Sequence, residues 1–310
     1  MAKAKEELFE TINCNICGSN DYKVIFEGEL SGAEGGEIDN IAKSEYKSSS
    51  NVVSSDRIVR CKKCGLEYVN PRLNPRIILK GYSEGKDEVF VSQVKGREMT
   101  FNKSLKLIED YSKKGKILDI GTAGASFLKV AKDRSWDVYG VEPNKWLCQW
   151  AKKNYGIDVK PGDIFSNKFP SNHFDVVTLW DVLEHVSDPS AVLKECNRIL
   201  KKGGVLVINY PDIDSAVARL MGKKWVFLLR VHIFYFTPRT IKMILKKNGF
   251  SAFKFKKHWQ TLGLGYILTR AQAYVKSLVV PFKKMSSALG IDEVQVPYWM
   301  GQTLVLARKQ

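Results

Sequence analysis

The fold of this chain is decided by the stretch ILDIGTAGASFL, residues 117–128. A short apolar run, a glycine and then apolar residues at helical spacing are typical of a buried strand, a tight turn and the start of a helix. The N-terminus of that helix points at the turn, and its free amide groups favour a carboxylate or a phosphate. The stretch therefore predicts a loop that can cradle a nucleotide-like cofactor.

The glycines of this loop argue against a dinucleotide. The dinucleotide fingerprint is G-x-G-x-x-G. Counted from Gly121, the chain has Gly121, Ala123 and Ser126 at the three positions, so two of the three glycines are missing. A nicotinamide dinucleotide is therefore a weak interpretation.

Strand-like and helical runs alternate from Lys116 to Pro211. In order they are KILDIG, SFLKVAKDR, DVYGVE, KWLCQWAKKNY, IDVKPGD, FDVVTLWD, PSAVLKECNRILKK and GVLVINYP. This order predicts an α/β fold, a parallel sheet with helices on both faces. A further helix is predicted at 238–248, capped by Thr237, with Pro238 in its first turn and Gly249 at its end.

Four of the predicted strands carry informative residues at their carboxyl ends. Asp119 ends the first strand, and Glu142 ends the second, where a carboxylate can accept both hydroxyls of a ribose. Asp163 follows the third strand, where it can accept from an adenine amino group while Ile164 packs on the ring. Trp180 ends the fourth strand. Because ligands of open α/β sheets bind outside the carboxyl ends of the strands, these residues predict a single crevice.

With these residues in place, the chain resembles the class I S-adenosylmethionine-dependent methyltransferases. The matching segments, in order over about 116–210, are ILDIGTAGA, VYGVEPN, PGDIF, FDVVTLWDVLEHVSDP and LKKGGVLVI. The resemblance implies a Rossmann-like sheet of seven strands with a reversed last strand, completed by the runs at 250–258 and 302–308. It also implies S-adenosylmethionine as the cofactor, held by Asp119, Gly121, Thr122, Ala123, Glu142, Asp163, Ile164 and Trp180.

The loop departs from the family pattern at two positions. The family pattern is D-x-G-x-G-x-G, and this chain has Ala123 and Ala125 in place of the later glycines. Alanine resists a positive φ. The loop is therefore expected to accept the cofactor if its turn keeps φ negative at both alanines.

Two cysteine pairs predict a zinc site near the start of the chain. Cys14, Cys17, Cys61 and Cys64 form C-x2-C pairs, each followed by a glycine. A two-residue gap lets both thiolates of a pair face one ion, and zinc takes four such ligands in a tetrahedron. Since all four ligands come from the protein, the expected zinc is structural. The alternative is four free thiols.

The sequence divides into two expected domains. Residues 1–80 are expected to form a zinc-ribbon module with a flexible insertion at about 30–55, which is rich in Gly, Ser and charge. Residues 81–310 are expected to form the methyltransferase domain. Within it we expect a substrate lid at about 212–236 and a late insertion at about 262–300.

Candidates for removing a proton from an acceptor follow the fourth and fifth strands. His185 lies just past the fourth strand, near the expected crevice, and His232 lies after the fifth. Either imidazole can act as a general base. Tyr235 and Asp181 are further candidates. The alternative is that the histidines only stabilise a turn or pack in the core.

The net charge and the resemblance of the whole chain indicate which acceptors and partners to expect. The formal net charge is +16, and the lysines are scattered through the chain. The whole chain resembles methyltransferases of bacterial polysaccharide or sugar biosynthesis, which implies methyl transfer to a hydroxyl or a carbon of a small acceptor, a sugar or polysaccharide precursor. An RNA methyltransferase is an alternative, although no basic run interleaved with aromatic residues favours nucleic acid. A non-catalytic interaction protein that keeps the fold is another alternative.

The location of the protein is predicted from its apolar runs. The start, MAKAKEELFE, has no apolar segment of the kind found in signal peptides. No run approaches the roughly 20 apolar residues of a membrane span. We therefore expect a cytoplasmic protein. The segment at about 262–300 mixes apolar and basic residues, so contact with an anionic membrane surface is an alternative that we do not favour.

Overall fold

The computed structural model describes residues 8–28, 52–54 and 56–310. The flexible insertion predicted at about 30–55 therefore lies outside the described residues, apart from 52–54. The strands of the described part form four sheets. In chain order they are β1 Phe9–Glu10, β2 Tyr22–Phe26, β3 Ile58–Cys61, β4 Glu67–Val69, β5 Arg72–Leu73, β6 Lys116–Ile120, β7 Asp137–Glu142, β8 Lys160–Pro161, β9 Phe174–Trp180, β10 Leu200–Pro211, β11 Phe234–Tyr235, β12 Phe250–Lys257, β13 Gln260–Gly263, β14 Gln295–Tyr298 and β15 Gln302–Lys309.

The central sheet has seven strands in the order β12-β15-β10-β9-β6-β7-β8. Parallel pairing joins β8, β7, β6, β9 and β10, in that order. Only β15 runs antiparallel to its neighbours β10 and β12 within this described sheet. The predicted α/β fold, its seven strands and its reversed last strand are confirmed, and the late runs complete the sheet as expected.

Helices pack on both faces of this sheet, as the alternating pattern predicts. The α-helices of the described ranges are α1 Pro75–Glu84, α2 Glu88–Val91, α3 Val94–Glu109, α4 Ser126–Asp133, α5 Lys145–Tyr155, α6 Pro189–Ile199, α7 Ala216–Met221, α8 Pro238–Lys247 and α9 Leu264–Ala288. The capping predicted for α8 is confirmed. The side chain of Thr237 accepts a hydrogen bond from the Thr240 amide, and Gly249 follows the helix with φ at 78°.

The central strands are buried on both faces. Successive side chains of a strand point to opposite faces, and here each face meets its own hydrophobic cluster. One cluster contains Leu118, Val177 and Leu206, and the other contains Ile117, Val176 and Val205. Burial on both sides is why these strands are continuous apolar runs in the sequence rather than alternating ones.

The N-terminal part contributes a separate four-stranded sheet in the order β11-β4-β3-β2. Its edge strand β11 comes from the far end of the segment predicted as a lid. Phe234 pairs with Tyr68, and Tyr235 pairs with Glu67. Sheet pairing therefore joins the cysteine-bearing part of the chain to the segment that follows β10.

The loop after β6 differs from the expectation at both of its alanines. Ala123 has φ at 47° and Ala125 has φ at 60°, so both take the left-handed conformation that alanine resists. The negative φ that the sequence analysis required at Ala123 and Ala125 is therefore not found at either residue. Gly121 also has a positive φ, of 66°, and a Cβ there would lie 2.8 Å from Cγ2 of Val182. The loop therefore has left-handed residues at Gly121, Ala123 and Ala125, of which only the first is a glycine.

The late segment forms a helix followed by a strand. α9 spans 25 residues and contains Pro281. After the helix, β14 pairs antiparallel with β13, which precedes the helix. This pairing brings the two ends of the helical segment together. None of the described helices is long and apolar enough to cross a membrane.

Candidate active site

A cavity of about 770 Å³ opens at the carboxyl ends of β6, β7 and β9. We refer to it as the central cavity. The eight residues that the resemblance assigns to the cofactor all line it: Asp119, Gly121, Thr122, Ala123, Glu142, Asp163, Ile164 and Trp180. The topology thus brings together residues that are up to 61 positions apart in the sequence, as expected for the edge of a parallel sheet.

Asp119 is a buried carboxyl on β6. Its Oδ1 accepts a hydrogen bond of 2.6 Å from the hydroxyl of Thr178 on the neighbouring strand β9. Burial raises the pKa of Asp119 from 3.8 to about 7, because the charged form loses its hydration. The side chain is therefore held in a fixed direction at the end of the strand, beside the loop.

Glu142 is fully buried at the end of β7 and is fixed by backbone amides. Its Oε2 accepts from the amide of Ala123 at 2.8 Å, and its Oε1 accepts from the amide of Asn144 at 2.8 Å. Burial raises its pKa to about 7, and these two amides oppose the rise. Each carboxylate oxygen can accept a second hydrogen bond, so the residue can also receive ligand hydroxyls.

Asp163 and Ile164 lie in the turn after β8. Oδ1 of Asp163 accepts from the amides of Phe165 and Ser166, at 3.1 and 2.8 Å, and so fixes the turn. Ile164 is buried and presents an apolar surface to the central cavity. The turn therefore places an apolar side chain and a carboxyl next to each other at the cavity edge.

Trp180 stands in an aromatic group at the end of β9. Its ring centroid lies 5.2 Å from that of Phe101, 5.1 Å from that of Phe127 and 5.6 Å from that of His258. Its Nε1 is buried and has no hydrogen-bond partner among the described residues. A buried N–H donor on a cavity wall is costly unless a ligand or water accepts from it.

His185 and His232 come together at one wall of the central cavity. Their ring centroids are 4.7 Å apart. Nδ1 of His185 lies 2.8 Å from the carbonyl of Val231, and Nδ1 of His232 lies 2.8 Å from the carbonyl of Phe227. Because a carbonyl only accepts, each Nδ1 carries the hydrogen and each Nε2 keeps a lone pair.

Both rings are neutral. Burial lowers the pKa of His185 to about 4 and takes the pKa of His232 well below its ordinary value, with the neighbouring His185 lowering it further. A neutral imidazole with a free Nε2 can accept a proton or bind a metal ion. The two residues that the sequence offers as separate candidates thus form one pair.

The other two base candidates are placed differently. Tyr235 is buried on β11 and does not itself line the central cavity; its ring centroid lies 6.4 Å from that of His232, and its hydroxyl donates to the Leu229 carbonyl at 3.4 Å. Asp181 lines the cavity, but both of its oxygens accept from amide side chains, those of Asn209 and Gln302 on Oδ1 and that of Gln260 on Oδ2. These three hydrogen bonds hold the carboxylate of Asp181 in place.

Sequence reasoning missed Arg97, which lines the central cavity from α3. Its guanidinium carbon lies 3.7 Å from the ring centroid of Phe90, and its Nε is buried without a hydrogen-bond partner in the described ranges. Arg97 stands four positions before Phe101 and so lies on the same face of α3, a relationship that helical spacing in the sequence can indicate.

Helix α1 was also missed as a wall of this cavity. Ile78, Leu79 and Tyr82 face the cavity from this helix. The side-chain amide of Asn144, beside Glu142, donates to the carbonyl of Tyr82 at 2.7 Å and so ties the helix to the cofactor edge. No motif in residues 75–84 signals this position, because it depends on how the helix docks.

The four paired cysteines meet outside the central cavity. Sγ of Cys14 lies 3.3 Å from that of Cys64, and Sγ of Cys17 lies 3.5 Å from that of Cys61. All four sulfurs lie within 4.8 Å of one another. This arrangement suits a tetrahedral metal ion with four thiolate ligands.

Part of the chain is similar in sequence to known methyltransferases. A ubiquinone biosynthesis O-methyltransferase of Pseudomonas entomophila is 32% identical over 96 residues, which cover 29% of this chain and 41% of that protein. An uncharacterized methyltransferase of Schizosaccharomyces pombe is 31% identical over 126 residues, covering 36% of this chain and 45% of that protein. The chain therefore spans less than half the length of these two relatives.

One solved structure is similar over most of the chain. The crystal structure of an S-adenosylmethionine-dependent methyltransferase from Archaeoglobus fulgidus covers 72% of this chain and 100% of its own, with 19% identity and a TM-score of 0.49. The methyltransferase domain family matches residues 97–253, about half of the chain, and this range contains the loop, all four strand-end positions and the histidine pair. On this match, the chain belongs to the methyltransferase domain family.

Proposed function

We propose that this protein transfers a methyl group from S-adenosylmethionine to a hydroxyl of a small acceptor, of which a sugar derivative is the candidate class. One observation carries the proposal. A single cavity joins the strand-end residues that suit the cofactor to a wall formed by His185 and His232. A cofactor and an acceptor held side by side in one cavity are what a direct transfer needs.

The residues present fit this cofactor. Glu142 can accept the ribose hydroxyls, and Ile164 can pack on the adenine ring beside Asp163. The buried, unpartnered Nε of Arg97 lies at the same cavity and suits the carboxylate of the amino-acid part, since a guanidinium binds carboxylates in a fixed direction. The N-terminus of α4 adds free amides at the loop.

The cofactor supplies an electrophilic methyl group on a sulfonium. The protein's residues have to align the acceptor oxygen with that carbon, exclude water and remove the hydroxyl proton. In the balanced reaction an oxygen–carbon bond forms, the sulfur–carbon bond breaks with its electron pair going to sulfur, and one proton is released. The Nε2 lone pairs of His185 and His232 are suited to this last task, either as bases or as ligands of a cation that makes the hydroxyl acidic.

The proposed acceptor site is the aromatic part of the central cavity. Tyr266, Tyr274 and Tyr298 line it together with Phe227 and Arg270. Aromatic faces pack against rings, and the polar groups among them can fix the hydroxyls of a sugar. The Pseudomonas relative is an O-methyltransferase of ubiquinone biosynthesis, which supports an oxygen acceptor and makes a phenol the competing class.

We further propose that Cys14, Cys17, Cys61 and Cys64 hold a structural zinc ion. With four protein ligands such a site has no open position for chemistry. Its role would be to hold the N-terminal sheet, which pairs with β11 close to the histidine wall. The ion would thereby support the acceptor side of the cavity from outside.

The test is a transfer assay with S-adenosylmethionine labelled in its methyl group. Nucleotide sugars, simple phenols and RNA are offered separately, and label is followed into each. The proposal expects label on a nucleotide sugar, with loss of transfer in Glu142→Gln and unchanged transfer in Lys153→Ala, an exposed residue of α5. Label on RNA would favour the RNA alternative. Cofactor binding without transfer to any acceptor would favour an interaction protein.

A further inference from the structure

Glu184 is a buried carboxyl without a partner. It is 1% exposed, and neither of its oxygens has a hydrogen-bond partner within the described ranges. The one charge that acts on it strongly, that of Asp181, has the same sign. An unpaired charge inside a protein is costly, so a buried carboxyl either keeps its proton or pairs with a cation or a metal ion. Burial raises the pKa of Glu184 well above its ordinary value while no such partner is bound.

Two ring nitrogens stand beside this carboxyl. A carboxylate oxygen of Glu184 and one ring nitrogen each of His185 and His232 lie within 4.8 Å of one another. Both Nδ1 atoms are committed to backbone carbonyls, so the nitrogens left for a ligand are the two Nε2 atoms. A metal-binding histidine usually donates its other ring N–H to a carboxylate, a backbone carbonyl or a water molecule, which fixes the tautomer and the ring direction.

The backbone holds these three side chains in place. The amides of Ile233 and Phe234 both donate to the carbonyl of Glu184, at 2.9 and 3.2 Å. The segment that carries His232 is therefore tied to the segment that carries Glu184 and His185. The three side chains are therefore held near one another before any ligand binds.

We propose that Glu184, His185 and His232 form a binding site for a divalent transition-metal cation at the wall of the central cavity. Two imidazoles and one carboxylate suit first-row ions such as Zn²⁺, Mn²⁺, Fe²⁺ or Co²⁺. Three protein ligands leave coordination positions open, in contrast to the four cysteines. Both histidines line the cavity, so the open side faces the space proposed for the acceptor.

A cation bound at this site would give His185 and His232 a role in the proposed transfer. A hydroxyl that coordinates the cation has a lowered pKa and loses its proton to water more readily. The cation also fixes the oxygen in one place. This role rests on the proposed function, whereas cation binding itself does not, and the experiment therefore measures binding without S-adenosylmethionine.

The experiment is equilibrium dialysis of the metal-free full chain against Co²⁺, with the metal content and the visible absorption spectrum recorded. Two ions per chain are expected. One shows the intense thiolate charge-transfer bands of the cysteine site, and the other shows only weak d–d bands. Glu184→Gln and His232→Ala should each lose the second ion or weaken its binding by about tenfold to hundredfold or more. Cys64→Ser should lose the first ion, and His173→Ala should keep both.

The wild-type stoichiometry keeps the test decisive if a variant fails to fold. A wild-type chain that binds one Co²⁺, with thiolate bands only, overturns the proposal. So does a second ion that persists in folded Glu184→Gln and His232→Ala. Cation binding without methyl transfer would leave this site standing and count against the proposed function instead.

Discussion

The amide of Ala123 donates a 2.8 Å hydrogen bond to Oε2 of Glu142, and Ala123 has a φ of 47° in that position. A left-handed alanine costs about 1–2 kcal/mol. The hydrogen bond to a buried carboxylate offsets part of this cost and fixes the amide at the cofactor edge. The acidic residue thus shapes the loop as well as lining the cavity.

Ala123→Gly and Ala123→Val should therefore have opposite consequences. Glycine takes the left-handed conformation without strain, so cofactor affinity should stay within about twofold of the wild type. A β-branched residue at this φ is a stronger outlier, and we expect affinity to fall about tenfold or more. Calorimetric titration of both variants with S-adenosylmethionine checks this, and equal affinities in the two variants would contradict it.

The raised pKa of Asp119 predicts how stability of the ligand-free protein depends on pH. The unfolded chain loses this proton near pH 4, whereas the folded chain keeps it to about pH 7. Between these values the folded state holds more protons, so the free energy of unfolding falls as the pH rises. Asp119→Asn should remove up to about 1.4 kcal/mol per pH unit from that slope.

Urea unfolding at several pH values between about 4 and 7 measures both slopes. Asp133→Asn, a change at an exposed carboxylate on α4, is the control and should keep the wild-type slope. If Asp119→Asn keeps the wild-type slope as well, burial of Asp119 does not control its protonation.

Arg97 should matter for the amino-acid part of the cofactor. Arg97→Met keeps most of the apolar stem and removes the charge, so affinity for S-adenosylmethionine should fall about tenfold to hundredfold, the cost of losing a charged hydrogen bond. Affinity for 5′-methylthioadenosine, which has no carboxylate, should be unchanged. A similar loss for both ligands would show that Arg97 acts on the cavity as a whole.

The zinc ion that we propose for the four cysteines should contribute to the stability of the protein. Cys64→Ser should hold one zinc ion fewer than the wild type, and its melting temperature should fall by at least about 5 °C, because binding of a structural zinc contributes directly to folding. Lys63→Ser, at the exposed neighbouring position, is the control. Elemental analysis and calorimetric melting check this, and unchanged zinc content in Cys64→Ser would contradict it.

Much of the fold could be predicted because the central strands are buried on both faces. Strands buried on both faces are continuous apolar runs in the sequence. The alternation of such runs with helical segments indicates a parallel sheet. The strand-end residues Asp119, Glu142 and Trp180 could be predicted for the same reason. A parallel sheet brings the carboxyl ends of its strands to one edge.

The rest depends on contacts between distant parts of the chain. The left-handed φ of Ala123 follows from the hydrogen bond to Glu142 and the path into α4, and alanine itself gives no sign of it. Glu184 is buried without a hydrogen-bond partner in the described ranges, beside His232, which lies 48 positions later in the chain. Helix α1 is positioned by its contact with Asn144, which is 60 or more positions away from the helix in the chain. No local pattern encodes such relationships.

The central claim is that the loop with two left-handed alanines binds S-adenosylmethionine. Calorimetric titration of the wild-type protein and of Glu142→Gln tests it most directly. We predict one site with a dissociation constant of about 1–100 µM, in the ordinary range for an enzyme and its substrate, and a loss of affinity of about tenfold or more in the variant. A folded wild-type protein that binds no S-adenosylmethionine at about 1 mM would contradict the account.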